Sequence, residues 1–149
     1  MGKSTVKILE GGFVGAILWA VAMGAGPQLS QAHEEGRLDV MVQRLHEVRT
    51  AISQYQGHHD GLLPGQSEAG ETVEAEAFCA ALTSLREDGG RYLTRIPDNP
   101  FIRAGELKNR ILVIHNLEAD CTGPRRAGWC FNSATGQFTA CDSKFHAAY

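Results

Sequence analysis

The chain has four cysteines in 149 residues, and no two of them stand in the Cys-x-x-Cys spacing by which a zinc site usually shows itself. It also lacks a basic cluster: the longest run is Arg125-Arg126 and the formal net charge is -3. A nucleic-acid footprint needs a concentrated positive face, so that class of function is set aside. No glycine-rich phosphate loop occurs. Ser30, Ser53, Ser84 and Ser133 lack the glycine context of a nucleophile elbow, and no catalytic constellation is found. The last absence is local: Phe13 to Ala32 carries no charged residue.

That uncharged stretch is rich in Ala, Val, Ile, Leu, Met, Phe and Trp and follows a short leader, residues 1–12, containing Lys3 and Lys7. Two readings compete. In one, residues 13–32 remain as a membrane anchor, and the basic leader places the N-terminus on the cytoplasmic side. The strongly apolar core, Phe13 to Ala25, is short for a span of about 20 residues, and Gly24, Gly26 and Pro27 interrupt its continuation. In the other reading the stretch is a secretory signal, cut after Ala32 at the small-x-small string Ser30-Gln31-Ala32.

From residue 33 onward the character changes. Leu38, Met41, Leu45, Val48, Ile52 and Tyr55 recur at steps of 3, 4, 3, 4 and 3, which predicts one apolar stripe on a helix with polar residues between. Two uses of the stripe are open: packing on the core of its own domain, expected for Leu45 to Tyr55, and helix-helix contact with copies or partners. The helix is predicted to stop at Gly57, with His58-His59-Asp60-Gly61 as a turn and Pro64-Gly65 beyond it.

A second helix is expected over Val73 to Glu87, ended by Asp88-Gly89-Gly90. Arg110 to Asn116 is a β-branched run and reads as a strand. Gly128 to Asn132 and Gln137 to Cys141 read as a hairpin turning at Ser133 to Gly136, with Trp129 and Phe131 in its core. Long helix, short helix, then three strands predicts an α+β fold: a small antiparallel sheet of about three strands laid on the long helix. One domain with an N-terminal extension fits the length.

Several strings together resemble the type IV pilin-like family, above all the pseudopilins of type II secretion systems. Gly12-Phe13 stands where the prepilin leader is cleaved. Ala51-Ile52-Ser53-Gln54-Tyr55 ends an amphipathic helix ahead of Leu63-Pro64. Tyr92-Leu93, Ile96-Pro97-Asp98-Asn99-Pro100 and the later Gly128-Trp129-Cys130-Phe131-Asn132 look like the family's proline-rich connector and final Gly-Trp hairpin. The likeness covers most of the chain. After Gly12-Phe13 the family usually continues Thr-Leu-Ile-Glu, whereas this chain has Val14-Gly15-Ala16-Ile17, so the membrane carboxylate is replaced by Ile17. Such a departure would fit a tip or minor subunit.

The resemblance implies a structural subunit and not an enzyme, single-pass in the inner membrane with residues 33–149 as stem and periplasmic head. Its partners would be other pilin-like subunits and the secretion machinery, and its assembly stripe would be Leu38 to Tyr55. The rival is a soluble exported binding protein, cut after Ala32. Four cysteines, Cys79, Cys121, Cys130 and Cys141, behind an apolar N-terminal segment point to an oxidising compartment, with at least one disulfide expected among the last three. No cofactor is expected. The resemblance brings in calcium as the one ion to look for, with Glu118, Asp120 and Asp142 as the candidate oxygens, and His58-His59-Asp60 reads as a solvated turn before a metal site.

Overall fold

The structure, a computed structural model, describes residues 10–103, 105–118 and 127–149, with side chains from Gln31 onward. The chain divides into two compact units, Met1–Gly36 and Arg37–Tyr149. The long helix α1 is assigned over Glu10–His58, through Pro27 without a break. Gly12, Phe13 and most of the apolar stretch lie where no side chain is described. Among the described residues, no helix is long and apolar enough to cross a membrane.

Within the second unit, the stripe of α1 faces inward. Met41, Leu45, Val48, Ile52 and Tyr55 are all buried, and Leu38 packs against them at the edge of the same cluster. Each such side chain withdrawn from water contributes roughly 1.5–3 kcal/mol, so this seam is a main source of the unit's stability. The helix ends where the chain turns back on it: the Gly61 amide donates to the Gln56 carbonyl at 2.9 Å, and Asp60 and Gly61 both take positive φ. Pro64 then bars any resumption.

Helix α2 is shorter than its apolar pattern predicts, running over Ala75–Thr83 and not Val73 to Glu87. Ser84 is already extended, and beyond it Arg86 and Gly90 close a tight turn through the Arg86 amide and the Gly90 carbonyl. Phe78 and Leu82 are its buried face. Phe78 lies 4.3 Å from Phe131 and 6.2 Å from Phe138, ring centre to ring centre, tying α2 to the sheet.

Among the described residues the sheet has three strands, β1 (Ile111–Ile114), β2 (Trp129–Asn132) and β3 (Phe138–Ala140), in the order β1-β2-β3. β2 and β3 form the expected antiparallel hairpin, with Gly136 at φ +77° in its turn. The all-antiparallel expectation fails at β1, which runs parallel to β2 with Ile111 opposite Trp129 and Ile114 opposite Asn132. Parallel neighbours need a connection of a dozen residues or more, and residues 115–128 supply it. The sheet is therefore mixed. One face, with Ile111, Trp129, Phe131, Phe138 and Ala140, joins the α1 core, while Cys130, Cys141 and Ala127 form a smaller cluster against Leu112 and Ile114.

Candidate interaction surface

Three arginines project from α1 beside its apolar stripe, and each donates to backbone carbonyls far along the chain. Arg37 Nη2 reaches the Pro100 oxygen at 3.1 Å, and Arg44 Nη1 the Asp98 oxygen at 2.6 Å. Arg49 reaches the Phe138 oxygen through Nε at 2.9 Å and the Tyr149 oxygen through Nη1 at 2.6 Å. Guanidinium is suited to this because its donors form a rigid fork and stay charged. Arg37 also stacks 4.3 Å from the centre of the Phe101 ring. Partial desolvation lowers the pKa of Arg49 from its usual value.

Two of these four carbonyls, those of Asp98 and Pro100, belong to the proline-rich connector, which is held from its other side by the hairpin. Trp129 Nε1 donates to the Pro97 oxygen at 2.7 Å in a fully buried position. Asn99, 0% exposed, donates from Nδ2 to the Gly128 oxygen at 2.7 Å and to Asp142 Oδ1 at 2.9 Å, and accepts from the Phe101 amide at 2.8 Å. Its own amide donates to the Lys108 oxygen at 2.8 Å. A buried amide side chain is stabilising only when its groups are satisfied, and here they are. Gly128 is required at this crossing, because a Cβ there would collide with the Lys108 carbonyl. Connector, hairpin and stem thus form one clamp.

Asp142 extends the network to His146, whose Nδ1 pairs with its Oδ2, and the His146 ring packs 3.9 Å from Phe101. At the other end of α1, Tyr55 stacks on His59 at 3.9 Å, His58 Nδ1 lies 3.0 Å from the Tyr92 hydroxyl, and Arg86 caps the Tyr92 ring at 4.8 Å. His58 and His59 are therefore engaged with aromatic neighbours. Among the described residues no three His, Cys, Asp or Glu side chains gather as a metal site would require. Of the three candidate calcium oxygens, Asp142 is engaged by Asn99 and His146, and Asp120 lies outside the described residues. Glu118 is exposed on the segment after β1.

No family model, curated protein or solved structure matches the chain.

The site is accordingly defined by geometry alone. Five of the six residues of the expected assembly stripe, Met41, Leu45, Val48, Ile52 and Tyr55, are committed to the head's own core and present nothing to a neighbour. The stem residues left exposed lie beside them, with Val40 and Val42 as apolar members (37% and 41% exposed) and His46 and Glu47 as polar ones. Gly12 and Phe13 lie outside the described side chains. Cys79 is a half-buried thiol whose pKa is raised by burial and then by the charge of Glu76. Cys141 is a buried thiol, Cys130 is disulfide-bonded, and Cys121 lies outside the described residues.

Arg37, Arg44, Arg49, Asn99 and Gly128 carry the clamp, and sequence reasoning did not single them out as such. A signal for two of them exists, because Arg37 and Arg44 stand one heptad apart and so share a face beside the stripe. Nothing comparable marks Asn99, whose partners lie far away along the chain.

Proposed function

We propose that the chain is a structural, pseudopilin-like subunit that acts by assembly and not by catalysis, held in the inner membrane by residues 13–32 with its head in the periplasm. The observation that supports this reading most is the packing of one face of α1, Met41 to Tyr55, on a head built from a clamped connector and a final hairpin. Within the second unit, an inward seam and three arginines fix α1 to the rest of the head. Because Met41 to Tyr55 serve the head's own core, assembly contacts in this reading fall to Phe13 to Leu38 and to the exposed face with Val40, Val42, His46 and Glu47. Other pilin-like subunits and the secretion machinery are the partners that the resemblance implies.

A second reading rests on a specific feature. The unit that carries the whole described core begins at Arg37. Cleavage after Ala32 would therefore leave a complete head, as a soluble exported binding protein requires. Intact mass spectrometry of the mature protein in membrane and soluble fractions decides between them. An N-terminus at Phe13 in the membrane fraction supports the subunit reading, and one at His33 in the soluble fraction refutes it.

A further inference from the structure

β1 is an edge strand with a defined set of open hydrogen-bonding groups. The Arg110 and Ile114 carbonyls accept from the Trp129 and Ser133 amides, so residues 110, 112 and 114 direct their backbone toward β2. By the alternation of a strand, the N–H and C=O of Ile111 and Val113 point to the other side. Among the described residues, no backbone hydrogen bond reaches those four groups. Edges are usually blunted by charge, proline or a bulge. Ile111-Leu112-Val113-Ile114 has none of these.

A groove of about 520 Å³ runs along that edge, with Arg110 to His115 on one side and Thr72 to Ala75 on the other. Glu74 in the opposite wall is extended, and both Glu74 and Arg110 are exposed. Among the described residues, no hydrogen bond or ion pair engages either side chain. The groove therefore offers a row of backbone donors and acceptors with one uncompensated charge of each sign.

We propose that the β1 edge is a docking site for an extended peptide segment of a partner protein, which adds to the sheet as a fourth strand. Two donor–acceptor sets two residues apart repeat at roughly 7 Å, the pleat repeat of another strand. Main-chain bonding of this kind gives affinity, and side-chain contacts give selectivity. The charges specify the occupant: an uncharged, β-prone centre, a carboxylate for Arg110 and a cation for Glu74. A second β1 laid antiparallel about Leu112 would set Arg110 against Ile114 and leave that charge unanswered. The inference is independent of how the stem assembles.

The test uses the purified full-length protein and two labelled hexapeptides, Glu-Val-Thr-Val-Thr-Lys and its reversed sequence, read by fluorescence polarisation and amide hydrogen exchange. Saturable binding of either one is expected, with slowed exchange over residues 110–115. Methylating the two valine nitrogens keeps the charges, removes the donors, and should weaken binding at least tenfold. Val113→Pro removes an outward N–H that no partner uses, as an edge strand tolerates, and should do the same. Arg110→Glu should weaken binding roughly two- to fivefold. Should Val113→Pro not fold, the methylated peptide decides alone. The proposal is overturned if neither peptide binds, or if the methylated one binds as well as its parent. It is equally overturned if sedimentation shows self-association through this edge that Val113→Pro abolishes.

Discussion

Gly128→Ala adds one methyl group at the point where connector, β1 and hairpin cross. The new Cβ would meet the Lys108 carbonyl head-on, lying 2.8 Å from its carbon and 3.1 Å from the Leu107 oxygen. All of these are backbone atoms, so no side chain can swing aside and the chain itself must shift. Overpacking of this kind costs about 1–3 kcal/mol. The shift also strains three hydrogen bonds made by Gly128: its amide to Arg110 at 3.1 Å, and its carbonyl from the Cys141 amide at 3.1 Å and from Asn99 at 2.7 Å. Losing one adds about 1 kcal/mol. The expected total is about 2–4 kcal/mol, a fall in Tm of about 8–16 °C at about 4 °C per kcal/mol for a unit of this size. Urea and thermal unfolding followed by circular dichroism measure it. Gly105→Ala, where a Cβ meets nothing, is the control and should stay within about 0.5 kcal/mol of the parent. If Gly128→Ala unfolds together with that control, the crossing is not the constraint argued here.

Further expectations follow from the same contacts. Met41→Lys places an uncompensated charge in the α1 seam and should cost more than about 3 kcal/mol, whereas Val42→Lys, one position on and 41% exposed, should cost less than about 0.5 kcal/mol. Equal tolerance of the two in urea melts would contradict the inward orientation of the stripe. Trp129→Phe leaves the Pro97 carbonyl buried without its 2.7 Å donor and should destabilise by about 1–3 kcal/mol, with no loss at all as the contrary result. The raised pKa of Cys79 keeps its thiol protonated, so alkylation at pH 8 should be slower than for an exposed cysteine, with rate rising toward higher pH. Glu76→Gln removes the smaller, coulombic cause and should speed that reaction in the folded protein without changing it in urea. Non-reducing peptide mapping should join Cys130 to Cys121, and a Cys130 peptide linked to Cys79 would exclude that pairing.

Much of the head is legible along the chain because its causes are local. The 3-4-3-4-3 spacing from Leu38 to Tyr55 marks a buried helical seam, and the tight turn at Gly61 and Pro64 marks its end. Gly136 places the hairpin turn because few other residues take its φ of +77° so readily. α2 overran its true end because Leu85, 65% exposed, fits the apolar pattern yet lies beyond the point where Ser84 leaves the helix. A periodic pattern reports which residues share a face but not whether that face is covered.

What the sequence determined by itself is therefore the main elements and which residues share a face on each, since both follow from residue spacing and turn chemistry. Tertiary structure decided what those faces meet. The direction of β1 is set by its parallel pairing with β2, a segment distant along the chain, which no pattern within Ile111–Ile114 encodes. The stripe served the head's core and not a neighbouring copy because the sheet and α2 reached it first within one chain. Arg44 with Asp98, and Asn99 with Gly128, are partners only after closure brings distant segments together, and the polar clamp they form is invisible until then.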